Sequence, residues 1–350
     1  MKSNWGSTTF LFTALLASPA HIAHAGDIWP FDVINIDEGK SQTVAYNGLE
    51  KAEKPWNICV LFPHMKDSYW IGVNYGIVDQ ARKLGVHATI LEAGGYTEAA
   101  KQVSQYNDCL AKGADAIIIG AISEAGLAKS VEEGKRKGVV QVGVINPLKS
   151  DLVDAKIFAN YDDAADAGAK FVVDQAAGKP SKMVHFPGPQ GSGWAEASTE
   201  GVKRAIAGSS VELLEAKYGD TGKSEQLRLV EDALQAYDDV NVIFGTAVTA
   251  EVAGQALESA GVEDAIIAAY YSNEGIVDLI KSGKVTATVT ESPVMEARIA
   301  VDLAVRLLEG KEHYNHLSPT MTVVTSDNIG SLDLTRTFAP SDWSPVYSVE

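Results

Sequence analysis

Four consecutive residues, Asp67, Ser68, Tyr69 and Trp70, stand between an apolar run (NICVLF, 57–62) and a stretch of helical period that ends at Gly85. A carboxylate, a hydroxyl and two rings with polar tips are costly to leave near a surface unless something binds them. Similar residues follow the other apolar runs. They are Tyr96 in LEAGGY, Tyr161 and Asp162 in NYDD, Trp194 in PGPQGSGW, Tyr270 and Tyr271 in YYSNE, and Glu291 in TES. Aromatic faces suit two kinds of ligand: sugars, by stacking, and methylated ammonium groups, by cation–π attraction. Asp67, Asp162 and Glu291 would bond hydroxyls or complement a cationic centre. The chemistry expected of this set is recognition. Catalytic patterns are scarce: HExxH, GxSxG and paired CxxC do not occur, and PGPQGSGW lacks the spacing of a phosphate loop. His64, His87, His185, His313 and His316 are scattered and predict no metal site. No cofactor and no enzymatic activity are expected.

These residues can meet only if the apolar runs end side by side. The pattern supplies that. Short apolar runs alternate with amphipathic stretches of helical period, most of them closed by Gly: NICVLF, HATILEA (87–93), ADAIIIG (114–120) and VVQVGVIN (139–146), then SKMVHFPG (181–188), VELLEAKYG (211–219), VNVIFG (240–245) and AIIAAYY (265–271). SEAGLAKSVEEGKRKG (123–138) is one of the predicted helices and TMTVVT (320–325) the last predicted strand. Such a series forces parallel strands with helices on both faces. It occurs twice, so the fold class is α/β with two Rossmann-like lobes. In open parallel sheets, ligands bind outside the carboxyl ends of the strands. The expected organisation is an arm at 26–55, one lobe from 56–160 plus 288–318, a second from 161–287 plus 319–335, and a tail at 336–350. The aromatic-rich arms would pack on the body or meet a partner protein.

The formal charge of −17 repels nucleic acid and anionic lipid, so neither is an expected partner. Residues 1–25 read as a secretory signal, with a short apolar run (FLFTALLA, 10–17) and a small-x-small site at Ala23-His24-Ala25. The run is too short to span a bilayer, so no membrane insertion of the mature chain is expected. In an oxidising compartment Cys59 and Cys109 could form a disulfide, worth about 4 kcal/mol for a loop of about fifty residues. They could equally be two small buried hydrophobes.

The strand–loop–aromatic–helix entry at Tyr69-Trp70 resembles the type I periplasmic binding proteins, whose sugar-binding members carry a similar pair there. LFPHMKDSYWIGVNYG (61–76), LEAGGY (91–96), GADAIIIG (113–120), PGPQ (187–190), EGVKRAIAGS (200–209), GTAVTAE (245–251) and SDWSPVY (341–347) resemble the periplasmic sensors of trimethylamine N-oxide respiration within that family. The resemblance implies two lobes joined by a multi-strand hinge, in the periplasm. It implies a receptor that binds trimethylamine N-oxide or a similar small polar ligand and docks on the periplasmic domain of a hybrid histidine kinase. The methylated nitrogen would sit among ring faces, with tyrosine hydroxyls or Ser68 donating to the oxide. The chain departs from the family at FANYDD (158–163), where Asn160 and Tyr161 stand in place of an expected tryptophan. Trp194 or Tyr271 would compensate. The alternative is a substrate-binding protein of an ABC importer for a sugar or related nutrient, which the same fold serves.

Overall fold

The computed structural model describes residue 1, residues 28–148 and residues 151–350. The signal expected over residues 1–25 lies, Met1 apart, outside the described residues. The described chain begins with a hairpin, β1 (Phe31–Asp37) and β2 (Lys40–Tyr46). A βα series follows: β3 (Asn57–Phe62), α1 (Ser68–Leu84), β4 (His87–Glu92), α2 (Ala99–Ala111), β5 (Ala116–Ile119), α3 (Ala128–Arg136), β6 (Val140–Ile145) and β7 (Ala155–Phe158). The second series is α4 (Tyr161–Ala176), β8 (Ser181–Phe186), α5 (Gly193–Ile206), β9 (Val211–Ala216), α6 (Lys223–Ala236), β10 (Val242–Gly245), α7 (Ala247–Ala260) and β11 (Ile266–Ala269). Then come α8 (Val277–Lys281), β12 (Thr288–Thr290), α9 (Pro293–Leu308), β13 (His316–Pro319), β14 (Thr322–Val324) and β15 (Ser348–Val349).

The strands form a larger sheet in the order β15-β4-β3-β5-β6-β7-β13-β1-β2 and a smaller one in the order β11-β10-β8-β9. The pairs joining β3 to β7 are parallel, and so are all pairs of the smaller sheet. Buried on both faces, these strands read as unbroken apolar runs, as VLF in β3 and AIII in β5 do. Strand order reverses at β3 in one sheet and at β8 in the other. Those reversals open the crevices in which α/β proteins hold ligands. A separate antiparallel ladder, β12 with β14, lies where the chain passes between the sheets. The strand expected over 320–325 is found at Thr322–Val324, paired with β12, and a further strand, His316–Pro319, precedes it and joins the larger sheet. The helix expected from residue 123 begins at Ala128, because residues 124–127 form a turn first.

Both chain ends are fastened to the larger sheet. β1 pairs with β13, and β15 pairs with β4 at the opposite edge. Asp302 of α9 accepts from Tyr46 Oη (2.7 Å), Leu49 N (2.6 Å) and Arg306 Nε (2.6 Å), holding the N-terminal hairpin. Asn74 of α1 binds Val346 through both its amide groups and accepts from Trp343 Nε1 (3.2 Å), holding the tail. A disulfide joins Cys59 on β3 to Cys109 on α2 (Cα–Cα 5.9 Å), inside an apolar cluster with Leu61, Ile117 and Val131.

Candidate functional site

The site is built from the first turn of α1. Asp67 caps that helix by accepting from Trp70 N (3.1 Å), and its extended backbone turns the chain out of β3. The first turn of the helix then presents Tyr69, which meets Tyr161 and Tyr271, and Trp70. Trp70 lies on Phe62, with ring centroids 5.2 Å apart, and against the backbone of Gly120, where a Cβ would stand 2.7 Å from its ring. Gly188 serves Trp194 in the same way, in a left-handed conformation (φ +106) that favours glycine. The two tryptophans, one from each lobe, are therefore seated on glycines.

The rings close a circuit. Centroids are 6.0 Å apart from Trp70 to Tyr69, 5.3 Å to Tyr271, 6.3 Å to Trp194, 5.5 Å to Tyr96, 5.3 Å to His64 and 6.3 Å back to Trp70. Tyr161 lies beside this circuit, 5.8 Å from Trp194 and 6.3 Å from Tyr271. They surround a small cavity. A compact guest of about 3 Å radius fits that space.

Polar groups enter this wall at few points. Tyr69 Oη donates to Glu291 Oε1 (2.9 Å) and lies 3.1 Å from Tyr161 Oη. Asn146 donates to Tyr96 Oη (3.1 Å) and to Ala121 O (2.7 Å), fixing the Tyr96 ring. Burial raises the hydroxyls of Tyr69, Tyr96, Tyr161 and Tyr271 well above the usual phenol range, so all four are neutral donors. Trp194 Nε1 is buried without a partner among the described residues. His64 is neutral, lowered to about 4 by burial; its Nδ1 accepts from Lys66 N (3.2 Å) and its Nε2 meets Thr221 Oγ1 (3.2 Å). Burial pushes Asp67 up to about 6.

Beneath Tyr69 lies a pair of buried carboxyls. Glu291 is 1% exposed and Glu296 is fully buried; one oxygen of the first and both of the second have no partner among the described residues. Burial raises both, so they retain protons at neutral pH that an exposed glutamate would lose. Ser292, between Glu291 and α9, has a positive φ (+65), as does Ile145 (+62) just before Asn146. For residues with side chains these are strained conformations, and here they flank the site.

The lobes are held together over the cavity. Lys66 pairs with Asp220 (3.2 Å), His64 meets Thr221, and Ser68 Oγ accepts from Glu274 N (3.1 Å).

Of the residues expected from the sequence, the structure brings Asp67, Tyr69, Trp70, Tyr96, Tyr161, Trp194 and Tyr271 to the cavity wall. Four others stand elsewhere. Ser68 bonds across the cleft mouth, and Glu291 supports Tyr69 from behind. Tyr270 is fully buried, donating to Pro187 O (2.5 Å). Asp162 turns outward to pair with Arg204 (2.6 Å). His64, Asn146 and Thr221 line the cavity without having been expected there. Asn146 ends an apolar run, which is a signal; Thr221, in the loop after β9, carries none. Among the described residues no cluster of metal-ligating side chains occurs, and no helix is long and apolar enough to cross a membrane.

Comparison with known proteins gives concordant results. Residues 58–312 match the model of the periplasmic binding protein domain. Periplasmic protein TorT of Escherichia coli K12 is 29% identical over 343 residues, covering 97% of this chain and 96% of that protein. An ABC transporter solute binding protein from Bradyrhizobium sp. BTAi1, solved with bound Bis-Tris, is 42% identical with a TM-score of 0.80 and covers 93% of this chain and 100% of its own. The complex of the TorS sensor domain with TorT, solved in the presence of TMAO, gives 26% identity and a TM-score of 0.75 over 83% of this chain and 99% of that one.

Proposed function

The chain belongs to the periplasmic binding protein family, whose members bind small molecules without transforming them, and on that premise we propose that it is a periplasmic sensor. Its ligand is trimethylamine N-oxide or a similarly compact polar molecule, held between the lobes, and its output is regulation of a membrane hybrid histidine kinase. The observation that carries this reading is the closed circuit of aromatic faces around a space of about 3 Å radius. A trimethylated nitrogen fills such a space and turns its methyl groups to the rings. The unpartnered Trp194 N–H supports an acceptor oxygen on the same ligand. A pyranose is larger than the space between the closed lobes. Signalling follows from closure, because a ligand shifts an equilibrium only by contacting one state better than the other. Tyr69 and Trp70 from one lobe and Trp194 and Tyr271 from the other touch the guest together only when the lobes meet.

A second reading is favoured by the 42% identity to an ABC transporter solute binding protein. In that case the same cleft delivers its ligand to a permease. Calorimetric titration with trimethylamine N-oxide and with ribose tests the ligand, and co-purification with a kinase periplasmic domain or with a permease tests the output. The sensor reading expects micromolar-range binding of the N-oxide, none of ribose, and retention by the kinase domain. Tight ribose binding or retention by the permease alone contradicts it.

A further inference from the structure

Asp67 is the carboxylate of the cavity wall, with Asp220 and Glu251 near it, and the three differ in one respect. Asp220 is paired with Lys66 (3.2 Å), and Glu251 with Lys223 (2.5 Å). Asp67 has no Lys, Arg or His within ion-pairing distance among the described residues, although it is 8% exposed and lines the cavity. Its hydrogen bonds come from backbone N–H groups of the first turn of α1, Trp70 N at 3.1 Å and Tyr69 N, and none comes from a side-chain cation. The other groups of the wall are neutral, since His64 is held unprotonated and the remainder are Tyr, Trp, Asn and Thr. The wall thus carries one carboxylate without a side-chain cation to pair with it, enclosed by rings whose faces are themselves negative. Both features favour the same guest. We infer that Asp67 is a specificity-determining residue that selects a ligand with a full positive charge on its substituted nitrogen, a quaternary or protonated tertiary amine. This rests on the cleft being the ligand site, as proposed above, and adds the charge of the ligand to it.

Binding such a cation returns to Asp67 the partner that burial removed. Facing Asp67 are His64 and Lys66 on its own loop, Tyr69 and Trp70 on α1, Tyr96 after β4, Asp220 and Thr221 after β9, Glu251 on α7 and Tyr271 after β11. Lys66 is the cation among these, and Asp220 holds it. The ionised carboxylate is the form that attracts a cation, so affinity weakens as the pH falls through about 6. The opposite chemistry is also defined. A protonated Asp67 would donate to the oxygen of a neutral N-oxide, and binding would then strengthen as the pH falls.

Three probes of nearly equal size separate these cases by calorimetry on the whole mature chain: tetramethylammonium, trimethylamine N-oxide and tert-butanol. The inference expects tetramethylammonium to bind at least a hundredfold more tightly than tert-butanol at pH 7.5, and about tenfold more weakly at pH 5 than at pH 7.5. In Asp67→Asn, which keeps the helix cap because Asn is an equally good cap, tetramethylammonium loses at least thirtyfold. The inference is overturned, with the cleft assignment intact, if the N-oxide binds and tetramethylammonium does not, or if Asp67→Asn leaves tetramethylammonium within threefold. If no methylated probe binds the wild type at millimolar concentration, the cleft assignment and the inference both fall. Thermal unfolding of the variant without ligand separates lost recognition from lost folding.

Discussion

Two buried aspartates, Asp302 and Asp67, teach how to tell a structural charge from a functional one. Asp302 sits in α9, fully buried, and its oxygens accept from Tyr46, Leu49 and Arg306. Each of these partners belongs to the protein, and together they fasten the N-terminal hairpin to the larger lobe. Asp67 is nearly as buried, yet the described residues give it backbone N–H groups of its own helix turn and no cation. Burying a charge is unfavourable in both places. At Asp302 the fold itself offsets the cost. At Asp67 it does not, and the carboxyl is pushed up to about 6 as a result. A charge left incomplete beside a cavity marks a position where something else completes it.

The comparison breaks most visibly at Asp302. Asp302→Ala leaves the Tyr46 hydroxyl and the Arg306 guanidinium without their buried partner, and we expect a loss of about 3–5 kcal/mol in unfolding free energy. Ligand affinity should stay within threefold. Denaturant titration and calorimetry on the same preparation check both halves; a large loss of affinity with little loss of stability would reverse the roles assigned here.

Trp70→Ala is next in size. It removes a wall of the cavity and should weaken binding more than a hundredfold, which is about 3 kcal/mol. The ring also packs on Phe62 and Gly120, so stability falls too, by about 3 kcal/mol. Binding measured below the variant's unfolding temperature separates the two effects.

Asp67→Asn should change stability in the direction opposite to Asp302→Ala. The folded-state value of Asp67 is raised from 3.8 to about 6. Its contribution is therefore fully present below about pH 4 and is lost as the pH rises through about 6. Without ligand, the variant should match the wild type at pH 4 and exceed it by about 2–3 kcal/mol at pH 7.5. A variant less stable than wild type at both pH values would mean that Asp67 is completed by the fold after all.

Much of the site is legible in the sequence because parallel sheets leave little choice. Once the βα alternation is read, every strand end faces one crevice, and aromatic residues at those ends must meet there. Tyr69, Trp70, Tyr96, Tyr161, Trp194 and Tyr271 are found together for that reason. Their neighbours are harder to read. Asp162 follows Tyr161 in α4, but one helical step rotates a side chain by about 100°, so Tyr161 points inward and Asp162 reaches Arg204. Thr221 reaches the cavity only because a loop of the smaller lobe closes on His64, a long-range contact without a local signal. The unpartnered state of Asp67 is of the same kind: sequence names the carboxylate but not the lysines that turn to Asp220 and Glu251 instead. The edges of the larger sheet escape as well, since β15 is two residues long and β1 and β2 form a hairpin outside the βα series.

The central claim, that the ring circuit is where the ligand sits, is tested most directly by nuclear magnetic resonance of the bound ligand's N-methyl protons. Six rings around the guest predict a methyl resonance moved strongly upfield, with cross-relaxation to Tyr and Trp ring protons from both lobes, and both signals reduced in Trp70→Ala. A bound methyl signal without upfield displacement, or cross-relaxation confined to aliphatic side chains, would contradict the account.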